Sequence, residues 1–273
     1  MNLKFMLNDY ILIWNLLFQA SISESLYKLK QKLWSNYKNE YNDTYKEKVT
    51  MLKDPKNFIP SNDLIYNIML DDKEYEKLKK QAEKYRLEIM KVWDKNKKAT
   101  SNLMTNIIRK DIGDINVYVV NKETNTIDTT GLSSDSNSLI IGKEICKDQT
   151  EILLLLLMSI LNKKLKNYTI ETEVFKQAIL ELAVLNEHAS NLSGRSCYLT
   201  GTPSLSSMKR NIYPYWLMYL GIPKEEFLNR MMNDNIAFEA NKYPYEKELK
   251  KMNIEEFIDF CIRNKNHMIK IDK

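Results

Sequence analysis

The sequence predicts a mainly α protein of the α+β class, and three observations carry that prediction. Apolar residues recur at steps of three and four over most of the chain, the spacing of one helical face. Only six glycines and six prolines occur in 273 residues, too few for an all-β fold built on many tight turns. The period falls to two in one short interval, between residues 115 and 141. With 44% hydrophobic residues, the chain has ample material for a buried core.

The first apolar run, Tyr10–Phe18, follows Asp9 and contains Asn15. A secretory signal has a basic leading segment and a cleaner apolar stretch, so this run reads as a short buried helix capped by Asp9. Ile22, Leu26, Leu29, Leu33, Tyr37, Tyr41, Tyr45, Val49 and Leu52 then mark one stripe. They predict a long helix with Ser23 or Ser25 at its start, stopping before Asp54-Pro55, where proline restricts the preceding residue. After a turn capped at Asn62 or Asp63, a second long helix runs from Asp71 to Lys110, with Tyr75, Leu78, Ala82, Tyr85, Ile89 and Val92 on its apolar side. A local kink is expected at 95–98. The two helices predict an N-terminal antiparallel hairpin occupying 1–110, with Trp34, Tyr37, Tyr41, Tyr45, Tyr85 and Trp93 as packing residues.

Ile115–Val120 alternates as a buried strand, 121–138 reads as a loop or hairpin, and Leu139–Ile141 is a second strand closed by Gly142. A small sheet of two or three strands is therefore expected. Helices resume over Glu151–Leu165, very apolar, and Glu171–Leu192, stopped by Gly194. A further helix starts near Ser204 and reaches Leu220, bent or split by Pro214. Lys224–Asn233 and Ile254–Asn264 complete the helices, and His267–Ile271 reads as a closing strand. Residues 111–273 thus form an α+β helical region joined to the first without a flexible linker.

Composition excludes several classes. Three cysteines and two histidines allow neither a disulfide framework nor a Cys-rich or His-rich metal site. Cys146 and Cys261 sit among apolar neighbours and read as core. The apolar run Ile152–Leu161 is ten residues, half the roughly 20 that a membrane span needs. The expectation is a soluble cytoplasmic protein with reduced thiols. Charge is uneven: residues 1–110 carry 21 basic and 14 acidic side chains, and the remainder 20 and 22. A positive front half suits an acidic protein or a nucleic acid.

Two groups of residues have chemistry worth following. At 100° per residue Glu181 and His188 share one side of the helix 171–192, where a carboxylate orients or charges an imidazole for proton transfer. The stretch 187–221 holds Arg195 in a Gly/Ser-rich loop, then Lys209 and Arg210 beside Tyr213, Tyr215 and Trp216. Basic groups next to aromatics are what a phosphate or nucleic-acid site uses. Cys197 lies nine residues from His188, within reach of a thiol–imidazole pair.

Three functions follow. The first is an interaction protein whose basic hairpin and 195–216 surface bind an acidic partner or nucleic acid. The second is a hydrolase or transferase with a pocket around Glu181, His188, Arg195 and Arg210. The third rests on element order: strands, an apolar helix, then an acidic helix resemble a minimal zincin layout. The HExxH pair that would hold zinc is absent, so this resemblance implies a metal-free scaffold.

Overall fold

The computed structural model describes residues 1–19, 23–133, 136–145, 149–194, 199–236 and 246–268. The chain forms two compact units that interleave in sequence, Met1–Lys95 with Gly113–Ile160 and Asn96–Ile112 with Leu161–Lys273. The sequence pattern divides the chain once, at 110/111. Helices dominate both units, and the strands form one small sheet in the first, as the α+β class requires.

That sheet has four strands, β1 (Leu3–Met6), β2 (Ile115–Val119), β3 (Thr126–Asp128) and β4 (Ser138–Gly142), in the order β1-β2-β4-β3. β1 and β4 each run parallel to β2, while β3 is antiparallel to β4. The count exceeds the expected two or three for a local reason. β1 offers only Leu3 and Phe5 as buried positions, and the polar Thr-Ile-Asp of β3 is half-buried throughout. Neither is long enough to show a period. β4 is buried at every residue and β2 at four of five, the pattern of strands covered on both faces.

Helix α1 (Asp9–Phe18) follows β1 and buries every residue from Ile11 to Leu17. Its cap is Asn8, whose side-chain oxygen accepts from the Ile11 amide at 3.1 Å. Asp9 sits in the first turn instead, where it accepts the Tyr75 hydroxyl at 2.5 Å and pairs with Lys79 at 2.7 Å.

No long antiparallel hairpin forms. The stretch read as one helix is three: α2 (Glu24–Asn36), α3 (Lys38–Lys46) and α4 (Lys48–Lys53). Tyr37 leaves helical geometry with φ −138° and ψ 49°, yet the apolar spacing continues across the break. The short helices bring Leu26, Leu33, Met51 and Leu52 into the core that contains α1. Ser23 caps α2 by accepting from the Leu26 amide, and α4 ends at Lys53, before Asp54-Pro55. Ile22 lies outside the described residues.

A short α5 (Leu64–Leu70) adds Ile65, Tyr66 and Met69 to that core. The long α6 (Lys73–Asn102) stays α-helical across 95–98, the place of the expected kink. Tyr75, Leu78, Ala82, Tyr85, Ile89 and Val92 are buried on it as the stripe predicts. Of the other expected packing aromatics, Tyr85 and Trp93 are buried, whereas Trp34 and Tyr45 are 44% and 57% exposed. The Tyr45 ring still packs on Trp14 and Phe18, and Trp34 meets the edge of Tyr41.

α7 (Glu151–Lys164) carries the division between the units. In the second unit α6 passes into a π-helical turn, Leu103–Ile108, which Arg109 ends in the left-handed region at φ 53°. The Arg109 guanidinium lies 4.4 Å from the Tyr219 ring centre and donates to the carbonyls of Tyr219, Lys250 and Met252. The helices that follow are α8 (Ile170–Leu180), α9 (Ala189–Ser193), α10 (Ser206–Leu220), α11 (Lys224–Asn233), α12 (Glu246–Leu249), α13 (Ile254–Arg263) and α14 (Lys265–Met268).

Pro214 neither ends nor splits α10. Its neighbours Tyr213, Trp216 and Tyr219 are fully buried, and Tyr219 stacks on Phe257 at 4.6 Å, contacts that outweigh one lost hydrogen bond. Gly221, at φ 73°, closes α10 with its own amide on Met218 and the Ile222 amide on the Leu217 carbonyl, the two-bond arrangement glycine favours at a helix end. Cys261 is buried, as read, and Cys146 lies outside the described residues. The closing strand expected at 267–271 begins inside α14, and 269–273 lie outside the described residues.

Candidate functional site

The helix read as continuous from Glu171 to Leu192 contains a π-helical segment, Glu181–His188, between α8 and α9. A π turn closes hydrogen bonds one residue later than an α turn, so the 100° spacing that put Glu181 and His188 on one side does not apply. The two side chains have separate partners, and no hydrogen bond joins them.

Glu181 is 4% exposed. Lys209 Nζ donates to its Oε2 at 2.7 Å, and the Thr202 amide donates to both oxygens at 3.1 and 3.2 Å. The Thr202 hydroxyl donates to Oε1 as well. Lys209 Nζ also donates to the Thr200 carbonyl at 2.5 Å. A Cβ at Gly201 would overlap the Glu181 carboxylate. The pair therefore ties the segment 200–202 onto the π turn. Three donors, one from Lys209 and two from Thr202, hold the carboxylate in this arrangement.

His188 is buried, with Nε2 3.5 Å from the Thr100 hydroxyl and Nδ1 without a hydrogen-bond partner among the described residues. Burial pushes its pKa down to about 4, so the ring is neutral at physiological pH. Glu187, between the two, was missed as a structural group. It takes a bidentate contact from Arg230 at 2.8 and 3.0 Å and the Trp216 indole N–H at 3.2 Å. The π segment thus aims Glu181, Glu187 and His188 at three different sets of partners.

Within the expected 195–216 surface, the aromatic and basic residues that were to form the site divide between interior and exterior. Tyr213 and Trp216 are fully buried and Lys209 is 2% exposed, so neither ring can stack on a base and the ammonium meets no solvent anion. Their sequence positions fall on the core side of α10. Arg210 is exposed, but donates to the Asp234 carbonyl at 2.9 Å. Arg195 and Cys197 lie outside the described residues. No three His, Cys, Asp or Glu side chains converge as metal ligands among the described residues.

The exposed charge lies elsewhere, on α6 within the first unit. Lys73, Lys77, Lys80, Lys84, Lys91 and Lys95 are all exposed. At 100° per residue they fall within about 60° of one another, on the side away from the buried stripe. Lys77 pairs with Glu74 at 3.7 Å and Lys80 with Glu76 at 2.6 Å. Lys73, Lys84, Lys91 and Lys95 form no ion pair among the described residues. The first four lysines of the row, with Glu76 and Gln81, line a surface recess of about 430 Å³. Counting lysines by the three-and-four spacing applied to apolar residues would have found this row.

No protein-family model matches the chain, and no curated protein or solved structure matches it. Among the described residues, no helix is long and apolar enough to cross a membrane.

Proposed function

We propose that the chain is a non-catalytic binding protein of the cytoplasm that engages a polyanion, an acidic protein or a nucleic acid, through the lysine face of α6. The row of six exposed lysines, four of them without an acidic partner among the described residues, carries this reading. Those side chains add nothing to the core, and their mutual repulsion disfavours the free state. A polyanion relieves that repulsion and gains from each contact. The catalytic alternative is less favoured, because Glu181 is engaged by Lys209 and Thr202 and not by His188.

The test is binding of labelled single-stranded RNA, duplex DNA and polyglutamate at about 50 mM salt, where surface electrostatics are only partly screened. At least one should bind, and the double variant K84E/K91E should weaken it by about tenfold or more with an unchanged Tm. Surface charge changes of this kind typically shift stability by under about 0.5 kcal/mol. No binding by the wild type, or equal binding by the variant, overturns the proposal.

A further inference from the structure

We infer that the polyanion is a single strand of nucleic acid, its phosphates following the α6 lysines and its bases stacking on Tyr27 and Trp34. This rests on the reading of α6 as the binding face and names what that face holds.

The row is narrow. Glu76 and Asp94 flank it on one side of the helix, Glu74 and Glu88 on the other. A flat anionic membrane or a broad acidic surface would meet those carboxylates as well as the lysines, whereas a strand one phosphate wide meets the lysines alone.

The row also runs along one uninterrupted helix. From Lys73 to Lys95 it extends about 33 Å at 1.5 Å per residue. A duplex completes a full turn in about 34 Å, so either of its backbones winds away from such a line. A flexible single strand lies along it.

Magnitudes separate a strand from an acidic protein. Leu87, 46% exposed, is the large apolar side chain that this stretch of α6 offers, so a protein partner would depend on surface ion pairs. Each of those contributes about 0–1 kcal/mol. Neutralising phosphates instead releases condensed counterions, an entropic gain that accumulates along the row.

A second observation favours unpaired bases. On α2, Tyr27 and Trp34 stand seven residues apart on one exposed side, 55% and 44% accessible. Lys38 Nζ lies 5.3 Å above the Trp34 ring. The start of α2 is tied to the first turn of α6 by the Ser23 hydroxyl, which donates to Glu74 at 3.0 Å. Exposed rings beside lysines stack on bases whatever their identity, each worth about 1–3 kcal/mol, and only an unpaired base offers its face.

The experiment uses the full chain and labelled 20-nucleotide strands of oligo-U and oligo-dT, a duplex of the same length, and polyglutamate. Expected is binding of one or both single strands about tenfold or more tighter than the duplex or polyglutamate. Trp34→Ala and Tyr27→Ala should each weaken the single strands about fivefold or more, while K84E/K91E weakens them without these rings being touched. The ratio of oligo-U to oligo-dT affinity assigns the strand as RNA or DNA. Tighter binding of duplex or polyglutamate, or single-strand affinity indifferent to both ring variants, overturns this inference and leaves the α6 reading standing. Absence of binding to every probe overturns both.

Discussion

Glu181 and Lys209 form a salt bridge of 2.7 Å with side chains 5% and 2% exposed. Both charges have left water, and each is also tied to the 200–202 backbone, Glu181 by the Thr202 amide and Lys209 by the Thr200 carbonyl. The pair fixes the backbone at 200–202 against the π segment and so serves architecture rather than chemistry.

Removing one partner should therefore cost more than removing both. Lys209→Met leaves a buried carboxylate with no countercharge, a loss of about 3–5 kcal/mol. In the double variant Glu181→Leu/Lys209→Met neither charge is left unpaired. Urea denaturation of the two singles and the double should show a double mutant more stable than either single. Additive losses would contradict a coupled buried pair.

Gly201 should be intolerant of a side chain. Its φ is 120°, and a Cβ there collides with the Glu181 carboxylate. Gly221 also has positive φ, but its added Cβ would meet only the flexible Lys250 side chain. Gly221→Ala should cost about 1–2 kcal/mol, the left-handed penalty alone, and Gly201→Ala clearly more. Equal melting temperatures for the two variants would mean that segment 200–202 is not held as described.

His188 predicts an acid-sensitive fold. Its folded pKa is about 4, against about 6.5 for an unfolded histidine. Between those values the unfolded chain binds the extra proton, so stability falls as pH drops through that window. The contribution is complete above about pH 6.5 and amounts to about 3 kcal/mol by linkage. His188→Gln should flatten this limb of the stability profile. An unchanged acid limb in that variant would assign the loss to other groups.

Much of the fold is legible in the chain, and the departures have local causes. Ser23, Asp54-Pro55 and Gly194 act where a cap and two helix stops are expected, Gly194 with φ 64°. The broken α2–α4 segment escapes notice because its apolar spacing runs through Tyr37, whose backbone leaves the helix without a proline or glycine to announce it. β1 is too short to display a period. The π segment is invisible for the same reason as the break: apolar residues continue at helical spacing while the hydrogen bonds shift by one. Of the candidate site, the positive charge of the N-terminal region was legible, but its location was not. Tyr213, Trp216 and Lys209 look like a binding cluster in sequence and are interior, whereas the lysines of α6 are dispersed among other charges until the helix aligns them.

The salt dependence of single-strand binding tests that alignment most directly. For single strands log K falls with log salt by about 0.7 per phosphate neutralised, so six lysines engaged together give a slope near −4. K84E/K91E should reduce the slope by at least about 1, the share of two phosphates. A wild-type slope near zero, or a slope that the variant leaves unchanged, would contradict α6 as the binding face.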